Sequence, residues 1–516
     1  MNSLPSFLAA ASGPRGPSHD QRAACRAALA GAVALAVALG VGRFAFTPLL
    51  PLMLAGGELD IRHGGWLASA NYAGYFVGAM TCARIAVDPA RMVRAGLAAT
   101  VLLTFAMGLA SPFWVWALVR FVGGAVSAWT FVFASQWGLR RVVEHGAPAW
   151  GGVIYTGPGI GIVATGLIGF ALAGRHAALG WIGFAAASAV LTAFVWRAFG
   201  AAGAGTDGGQ SRGGAKRAGD GVGVADAAGR AGERLAAGAT GAAEGAEGAE
   251  AVADAVSAAN VADTADTANS ANSANSANSA NSANSANSAT ATAERNSPVA
   301  GVAGQHGAMA APAARAPHVE SAAARRDAFW LVLLYGLPGF GYIITATFLP
   351  VIARAALPAH SRWPDLFWPM FGAALIAGAL LGARLPSGWD NRLLLAACCA
   401  VQALGVALGI VWPTAPGFAL GSALVGLPFT AITLFAMREA RRLRGERAAG
   451  LMGYATASYG VGQIAGPLAA APLAAHAGSF SPALWLAATM LAVGAAGFAA
   501  VALRAWRART RGGGVG

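Results

Sequence analysis

The chain has 516 residues, of which 56% are hydrophobic and only 11% charged, and its formal net charge is +13. Soluble domains carry about 25% charged residues, so this composition excludes a set of water-soluble globular domains and predicts an all-α polytopic membrane protein. A basic excess suggests nucleic acid in a soluble chain, but in a membrane chain it first concerns topology. We therefore expect the lipid bilayer, and no nucleic acid, as a partner.

Six apolar stretches precede a low-complexity segment and six follow it, each close to the ~20 residues that cross a ~30 Å hydrocarbon core. The first six, which we call the first to sixth spans, lie near residues 28–54, 64–87, 94–111, 113–138, 150–173 and 177–199. The seventh to twelfth spans lie near residues 328–354, 363–383, 392–413, 415–437, 448–472 and 481–505.

The low-complexity segment covers residues 200–324 and consists mainly of Ala, Gly, Ser, Asn and acidic residues, with an A-N-S tripeptide repeated seven times from Ala268 to Ser288. Such a composition buries too little apolar surface to offset its ordering entropy, which predicts a disordered linker. The other predicted units are an N-terminal tail at 1–27, six-helix bundles at 28–199 and 325–505, and a basic tail at 506–516.

Basic residues are distributed unevenly between the two membrane faces. If the N-terminus is inside, the inner loops and ends hold 22 arginines, whereas the outer loops hold four, Arg62, Arg175, Arg354 and Arg362. Because short cytoplasmic loops carry the excess of Lys and Arg, both termini and the linker are predicted to be cytoplasmic in a bacterial-type inner membrane.

The two halves share three features at corresponding places. They are G-R-F-A-F-T-P-L-L-P (42–51) with G-Y-I-I-T-A-T-F-L-P (341–350), Gly78 and Arg84 with Gly378 and Arg384, and Gly157-Pro158 with Gly466-Pro467. Three matches in the same order predict a duplicated six-span unit in parallel orientation, which is the plan of the major facilitator superfamily.

Longer motifs carry the same resemblance. G-V-G-R-F-A-F-T-P-L-L-P (40–51) and G-G-W-L-A-S-A-N-Y-A-G-Y (64–75) resemble the YbfB/YjiJ group of this superfamily. L-V-R-F-V-G-G-A (118–125) is similar to the superfamily's fourth-span Arg motif, and G-V-I-Y-T-G-P-G-I-G (152–161) to its fifth-span Gly-Pro motif. The superfamily's cytoplasmic-loop signature is only partly present in this sequence. In its second copy, between the eighth and ninth spans, Ser387 occupies the position of the signature's acidic residue. The resemblance implies the twelve-helix fold and solute transport, and it names no substrate.

Two arginines lie inside spans, where a charge costs ~2.5–3.5 kcal/mol on insertion scales. By helical rise, Arg43 and Arg120 each lie roughly 10 Å inside the outer face, and the interior of the predicted spans contains no Asp or Glu. A carboxylate of the solute would satisfy both guanidinium groups through bidentate hydrogen bonds. The alternative is that both arginines bond to neighbouring helices and serve structure.

Helical spacing selects the other cavity candidates. The full set is Arg43, Phe46 and Thr47 in the first span, Asn71 and Tyr75 in the second, Arg120, Ser127 and Phe131 in the fourth, Tyr155 in the fifth, Tyr335 and Tyr342 in the seventh, and Thr456, Tyr459 and Gln463 in the eleventh. These polar stripes either touch the solute or join helices. The candidates for helix bending and gating are Pro48, Pro51, Gly157, Pro158, Pro338, Pro350, Pro428, Gly466 and Pro467.

Enzymatic patterns are missing from the sequence. The cysteines and histidines have no metal-ligand spacing, and neither G-x-S-x-G nor G-x-x-x-x-G-K-[ST] occurs. We expect no enzyme activity, no metal and no cofactor. The prediction is a monomeric secondary transporter that moves a small organic solute, with a charge pattern that favours an anion, by alternating access. The alternative is a permease-like sensor that signals through its linker, which deletion of residues 205–315 would distinguish.

Overall fold

The computed structural model of the protein describes residues 19–85, 87–147, 150–200, 322–382, 385–386, 388–445 and 448–512, and helices occupy all twelve predicted spans. Within these ranges there is no β-strand. The predicted linker lies almost wholly outside the described residues, as do parts of both predicted tails.

The N-terminal half contains the first six spans. The first span comprises His19–Leu35, a π-helical segment Ala36–Val41 and Phe46–Ala55, and the second comprises Ile61–Thr81 and a 3-10 turn Cys82–Arg84. The third to sixth spans are Pro89–Leu109, Phe113–Glu144, the pair Gly151–Ile154 and Gly157–Ala171, and Ala177–Trp196.

The C-terminal half contains the other six. They are Ala322–Ala356, Trp363–Gly382, Asn391–Val411, the pair Ala415–Gly426 and Phe429–Arg444, Ala448–Ala477 and Ser481–Gly512. The fourth and tenth helices run past the predicted spans into Arg-rich ends. The face that carries these ends is here called the Arg-rich face, and the other is the opposite face.

Short polar residues start several helices. The side chains of Asp60, Asp88, Asp390 and Thr414 accept hydrogen bonds from backbone N–H groups in the first turn of the helix that follows. These bonds satisfy donors that have no partner within the helix. The caps therefore fix where the second, third, ninth and tenth spans begin.

Ten helices in the described ranges are long and apolar enough to cross a membrane. The second and eleventh spans, Ile61–Thr81 and Ala448–Ala477, are also long enough but are not among these ten. These two helices pack against each other across the halves, and Ser69 Oγ donates to the Ile464 carbonyl at 2.8 Å. These two helices are less hydrophobic because along this seam they face protein rather than lipid.

The sequence repeat has a structural counterpart. A Cβ added to Gly78 would lie 2.7 Å from the backbone of Ala125 in the fourth span, and one added to Gly378 would lie 1.7 Å from the Leu427 carbonyl in the tenth. Only glycine permits such backbone approach. The corresponding helix pairs of the two halves are therefore packed at corresponding glycines.

The buried apolar residues show which way the two halves are closed. Towards the opposite face, one core cluster joins residues of both halves, and the rings of Phe44 and Trp368 lie 5.9 Å apart within it. Towards the Arg-rich face the core divides into two separate clusters, one in each half. The halves are thus sealed together on the opposite side and packed separately on the Arg-rich side.

Exposed tryptophans lie near both ends of the helices. Those near the opposite face are Trp66, Trp114, Trp363, Trp412 and Trp485, and those near the Arg-rich face are Trp196, Trp389 and Trp506. Tryptophan is enriched at both membrane–water interfaces, so the positions of these two groups match the two edges of a bilayer.

Candidate functional site

Arg43 lies where the helix of the first span is interrupted. The N–H groups of Arg43 and Phe44 both donate to the Leu39 carbonyl, at 3.2 and 3.1 Å, at the end of the π-helical segment. Pro48 has no N–H to donate to the Phe44 carbonyl, which instead accepts from Thr47 at 3.3 Å. Such irregular turns are frequent at functional sites.

Arg43 is buried, with a residue exposure of 5%. Its Nη2 donates to Gln463 Oε1 at 2.8 Å, and its Cζ lies 4.0, 5.1 and 5.4 Å from the ring centroids of Tyr75, Tyr72 and Phe44. Its Nε has no hydrogen-bond partner among the described residues. Aromatic faces attract a cation but leave a guanidinium N–H free to bond elsewhere.

Gln463 links Arg43 to a stack of tyrosines in the C-terminal half. Its Nε2 donates to the Tyr342 hydroxyl at 2.5 Å. The Tyr342 and Tyr459 rings are 5.9 Å apart with planes 18° from parallel, and Tyr459 and Tyr335 are 4.8 Å apart at 28°. We define the central cluster as Arg43, Tyr72, Tyr75, Tyr335, Tyr342, Tyr459 and Gln463.

Further hydrogen bonds cross between the halves beside the central cluster. Thr47 Oγ1 donates to the Ala346 carbonyl at 3.0 Å, and the Tyr72 and Thr347 hydroxyls are 3.0 Å apart. Every residue of 341–350 is buried. The seam between the first, second and seventh spans is therefore closed from the central cluster to the opposite face.

Arg120 bonds to the protein's own backbone. Its Nη2 donates to the Arg43 carbonyl at 3.2 Å, and its Nη1 and Nε lie 3.5 Å from the carbonyls of Gly42 and Leu67. Its Cζ lies 4.9 Å from the Phe46 ring centroid. Arg120 thus ties the fourth span to the interrupted first span and to the second.

The other candidate residues fall into two groups, those that contact neighbouring helices and those that lie near Arg43 or its partners. Asn71 Nδ2 donates to the Arg120 carbonyl at 2.8 Å, and Ser127 Oγ donates to Ala38 at 2.7 Å. The Phe131 and Tyr155 rings are 6.4 Å apart. Thr456 is half-buried on the eleventh span. Asn71, Ser127, Phe131 and Tyr155 contact neighbouring helices, whereas Tyr75, Tyr335, Tyr342, Tyr459 and Gln463 surround Arg43 or adjoin its partners.

Helix interruptions occur at only some of the bending candidates. The helix is broken before Pro48 in the first span, before Gly157-Pro158 in the fifth and at Pro428 in the tenth. Pro51, Pro338, Pro350 and Pro467 lie within continuous helices, and so does Pro369, which the sequence analysis did not select. Gly466 packs closely against Ile343.

A charged cluster at the Arg-rich face was not expected from the sequence. Arg392 is 3% exposed, and its Nη2 and Nε each lie 3.0 Å from a carboxylate oxygen of Asp390, with its Nη1 3.3 Å from Asp327. Glu439 lies 3.6 Å from Arg392 and accepts from Arg442 at 2.7 and 2.5 Å. Burial raises the pKa of Asp390, but the hydrogen bonds from Arg392 outweigh it, so its pKa is lowered. Asp390 thus supplies an acid three residues after Ser387.

Sequence reasoning also missed Tyr72 and Phe44 as neighbours of Arg43. Tyr72 is one residue from the selected Asn71 and three from the selected Tyr75, so it falls on the same helix near the stripe. Its signal was the unusual presence of two tyrosines within four residues of an apolar span. Phe44 follows Arg43 directly, and its ring lies 5.4 Å from the Arg43 Cζ at the point where the helix is irregular.

In the part of the chain that the structure describes, helices fill twelve spans in two similarly packed halves, with charge concentrated at one face, and this arrangement defines a transporter of the major facilitator superfamily. A family model described as "Uncharacterised MFS-type transporter YbfB" matches residues 35–219 and 282–498, in both halves. The chain belongs to this family and is an integral membrane protein. Among curated proteins no match is found.

Proposed function

We propose that this protein is a secondary active transporter that moves a small organic anion across a bacterial-type inner membrane by alternating access. The observation that supports an anionic solute is Arg43, a buried cation between the halves whose Nε–H has no hydrogen-bond partner among the described residues. The carboxylates of Asp365 and Glu439, within other helices, bond instead to Arg354 and Arg442. Within the described ranges no carboxylate pairs with Arg43, and we infer that a ligand balances its charge.

A carboxylate suits this position for two reasons. An unbalanced charge inside the bilayer costs ~2.5–3.5 kcal/mol on insertion scales, and a bound anion offsets part of that cost. A guanidinium group also presents paired N–H donors that match the two oxygens of a carboxylate. The solute competes with Gln463 Oε1 for Nη2 and takes up the free Nε–H, so its binding alters a contact that joins the halves.

Alternating access is supported by the asymmetry of the core. The halves share one apolar cluster on the opposite side and have separate clusters on the Arg-rich side. We infer that this is the state whose central site opens towards the Arg-rich face, and that transport requires the reverse closure. By the distribution of arginine the Arg-rich face is cytoplasmic. Energy for transport comes from a gradient or from exchange.

Transport by the purified full chain in proteoliposomes tests the proposal. The probes are lactate, gluconate and 4-hydroxybenzoate, their neutral amides, glucose and an amphipathic cation, each with and without a pH gradient. We expect uptake of at least one carboxylate and not of its amide, reduced by 10-fold or more in Arg43→Ala and less in Arg43→Lys. Arg62→Ala, at an exposed position in the first turn of the second span, is the matched control.

Two results would overturn the anion proposal. One is transport of a carboxylate at the parental rate by both Arg43→Ala and Arg43→Lys. The other is uptake of only neutral or cationic probes. Size-exclusion profiles of each variant establish that it is folded before rates are compared.

A further inference from the structure

We propose that the transported anion is an aromatic carboxylate, whose acid group bonds to Arg43 while its ring stacks on the tyrosines of the central cluster. This inference rests on the proposed anion transport and adds the chemical class of the solute. Seven tyrosines occur in the whole chain, and five of them belong to the central cluster.

The tyrosines approach Arg43 from both halves. Tyr75 on the second span is nearest, with its ring centroid 4.0 Å from the Arg43 Cζ. Tyr459 lies on the eleventh span, which packs against the second, and stacks between Tyr342 and Tyr335. Tyr75 and Tyr459 are half-buried, whereas Tyr72, Tyr335 and Tyr342 are buried. The partly accessible rings of the cluster are thus one from each half: Tyr75 lies against Arg43, and Tyr459 stacks on Tyr342, which is linked to Arg43 through Gln463.

The hydrogen-bonding capacity of the cluster is largely used. The Tyr72 hydroxyl pairs with Thr347, the Tyr335 hydroxyl donates to Thr433 at 3.2 Å, and the Gln463 amide bonds to both Arg43 and Tyr342. A polyhydroxylated acid would have to break several of these bonds to pair its own hydroxyls. The groups that can bind a solute include the Arg43 Nε–H, the exchangeable Nη2 contact and aromatic faces.

This combination selects a flat, conjugated anion. Aromatic rings prefer offset-stacked or edge-to-face contacts at centroid distances of 4.5–7 Å, the range already found among Tyr335, Tyr342 and Tyr459. Each such contact contributes about a factor of 2–10 to affinity beyond area burial. A carboxylate with a saturated ring of the same size buries a similar apolar area, but it lacks this additional gain in affinity from aromatic contacts.

The test compares two acids that differ only in the ring, 4-hydroxybenzoate and trans-4-hydroxycyclohexanecarboxylate. Their binding to the detergent-solubilised full chain is measured by titration calorimetry at pH 7.5, where both are ionised. We expect 4-hydroxybenzoate to bind about 5-fold or more tightly. Tyr459→Leu reduces this preference to within about 2-fold, Tyr459→Phe retains it, and Arg43→Ala weakens both acids by 10-fold or more. Tyr454→Leu, at a residue on the same helix that is 70% exposed, leaves the preference unchanged.

The outcomes separate this inference from the anion proposal. Equal affinities for the two acids, or a preference that survives Tyr459→Leu and Tyr75→Leu, would refute the aromatic class while leaving an Arg43-dependent anion site. The aromatic class is also refuted, and the anion site retained, if lactate or gluconate binds more weakly to Arg43→Ala than to the parent while neither ring acid binds. If no carboxylate in either panel depends on Arg43, the proposed function fails as well.

Discussion

Arg43 and Gln463 are 420 positions apart in the sequence and share a hydrogen bond of 2.8 Å at the junction of the two halves. One residue comes from the interrupted helix of the first span and the other from the eleventh. Gln463 also bonds to Tyr342, so two successive hydrogen bonds connect Arg43 to the eleventh and seventh spans of the C-terminal half.

Replacing Gln463 by glutamate should oppose anion binding. Gln463→Glu places a carboxylate within 2.8 Å of Arg43 Nη2, which neutralises the cation and competes with the solute. We expect the affinity for the tightest-binding carboxylate of the parent protein to fall 10-fold or more by titration calorimetry. Gln463→Met frees Nη2 without adding charge and should not lower the affinity. Parental affinity in the Glu variant would contradict the placement of the anion at Arg43.

Arg120 should affect stability more than binding. Its guanidinium group reaches carbonyls on two helices, and the single ammonium of lysine cannot reproduce that geometry. Arg120→Lys leaves at least one buried carbonyl unpaired, at a cost of about 1–3 kcal/mol, so its thermal unfolding midpoint should fall while the folded protein keeps its anion affinity. Arg175→Lys, at an exposed loop residue, is the control. An unchanged midpoint with lost binding would indicate that Arg120 contacts the solute.

Gly74 should tolerate no side chain. A Cβ at this position would lie 1.8 Å from the Phe121 carbonyl oxygen in the fourth span, so Gly74→Ala must push two helices apart. We expect a lower unfolding midpoint and poor expression. Gly183→Ala is the matched control, because Gly183 lies inside the sixth-span helix with nothing within 4 Å of its added Cβ. That change should stabilise the helix slightly. Similar midpoints for the two variants would contradict the close packing.

Stability should depend on pH through Asp390. Because hydrogen bonds from Arg392 lower its pKa, the stabilisation is fully present above the ordinary aspartate pKa of 3.8 and is lost as the pH falls through the lower folded-state value. Unfolding midpoints measured from pH 6 downwards should therefore differ most between the parent and Asp390→Asn at pH 6 and converge in acid. Parallel curves for the parent and Asp390→Asn would exclude the ion pair as a source of stability.

The sequence by itself determined the class of this molecule. The long apolar stretches predict membrane-spanning helices, because in lipid the backbone N–H and C=O groups of such a stretch must bond to each other. The repeated Gly-Pro and Leu-Pro positions indicated two equivalent halves. The family match agrees with both. The sequence also selected Arg43 as a costly intramembrane charge, since that cost depends only on residue type and depth.

Only the tertiary structure distinguished Arg43 from Arg120, which look alike in the sequence. Their difference lies in which backbone carbonyls approach each guanidinium group, and this is set by an irregular helix turn and by close packing at glycines in neighbouring spans. The tyrosine stack likewise depends on contacts between residues more than 100 positions apart, such as Tyr335 and Tyr459. Helical periodicity orders residues around one helix, but it does not specify which helix they will face.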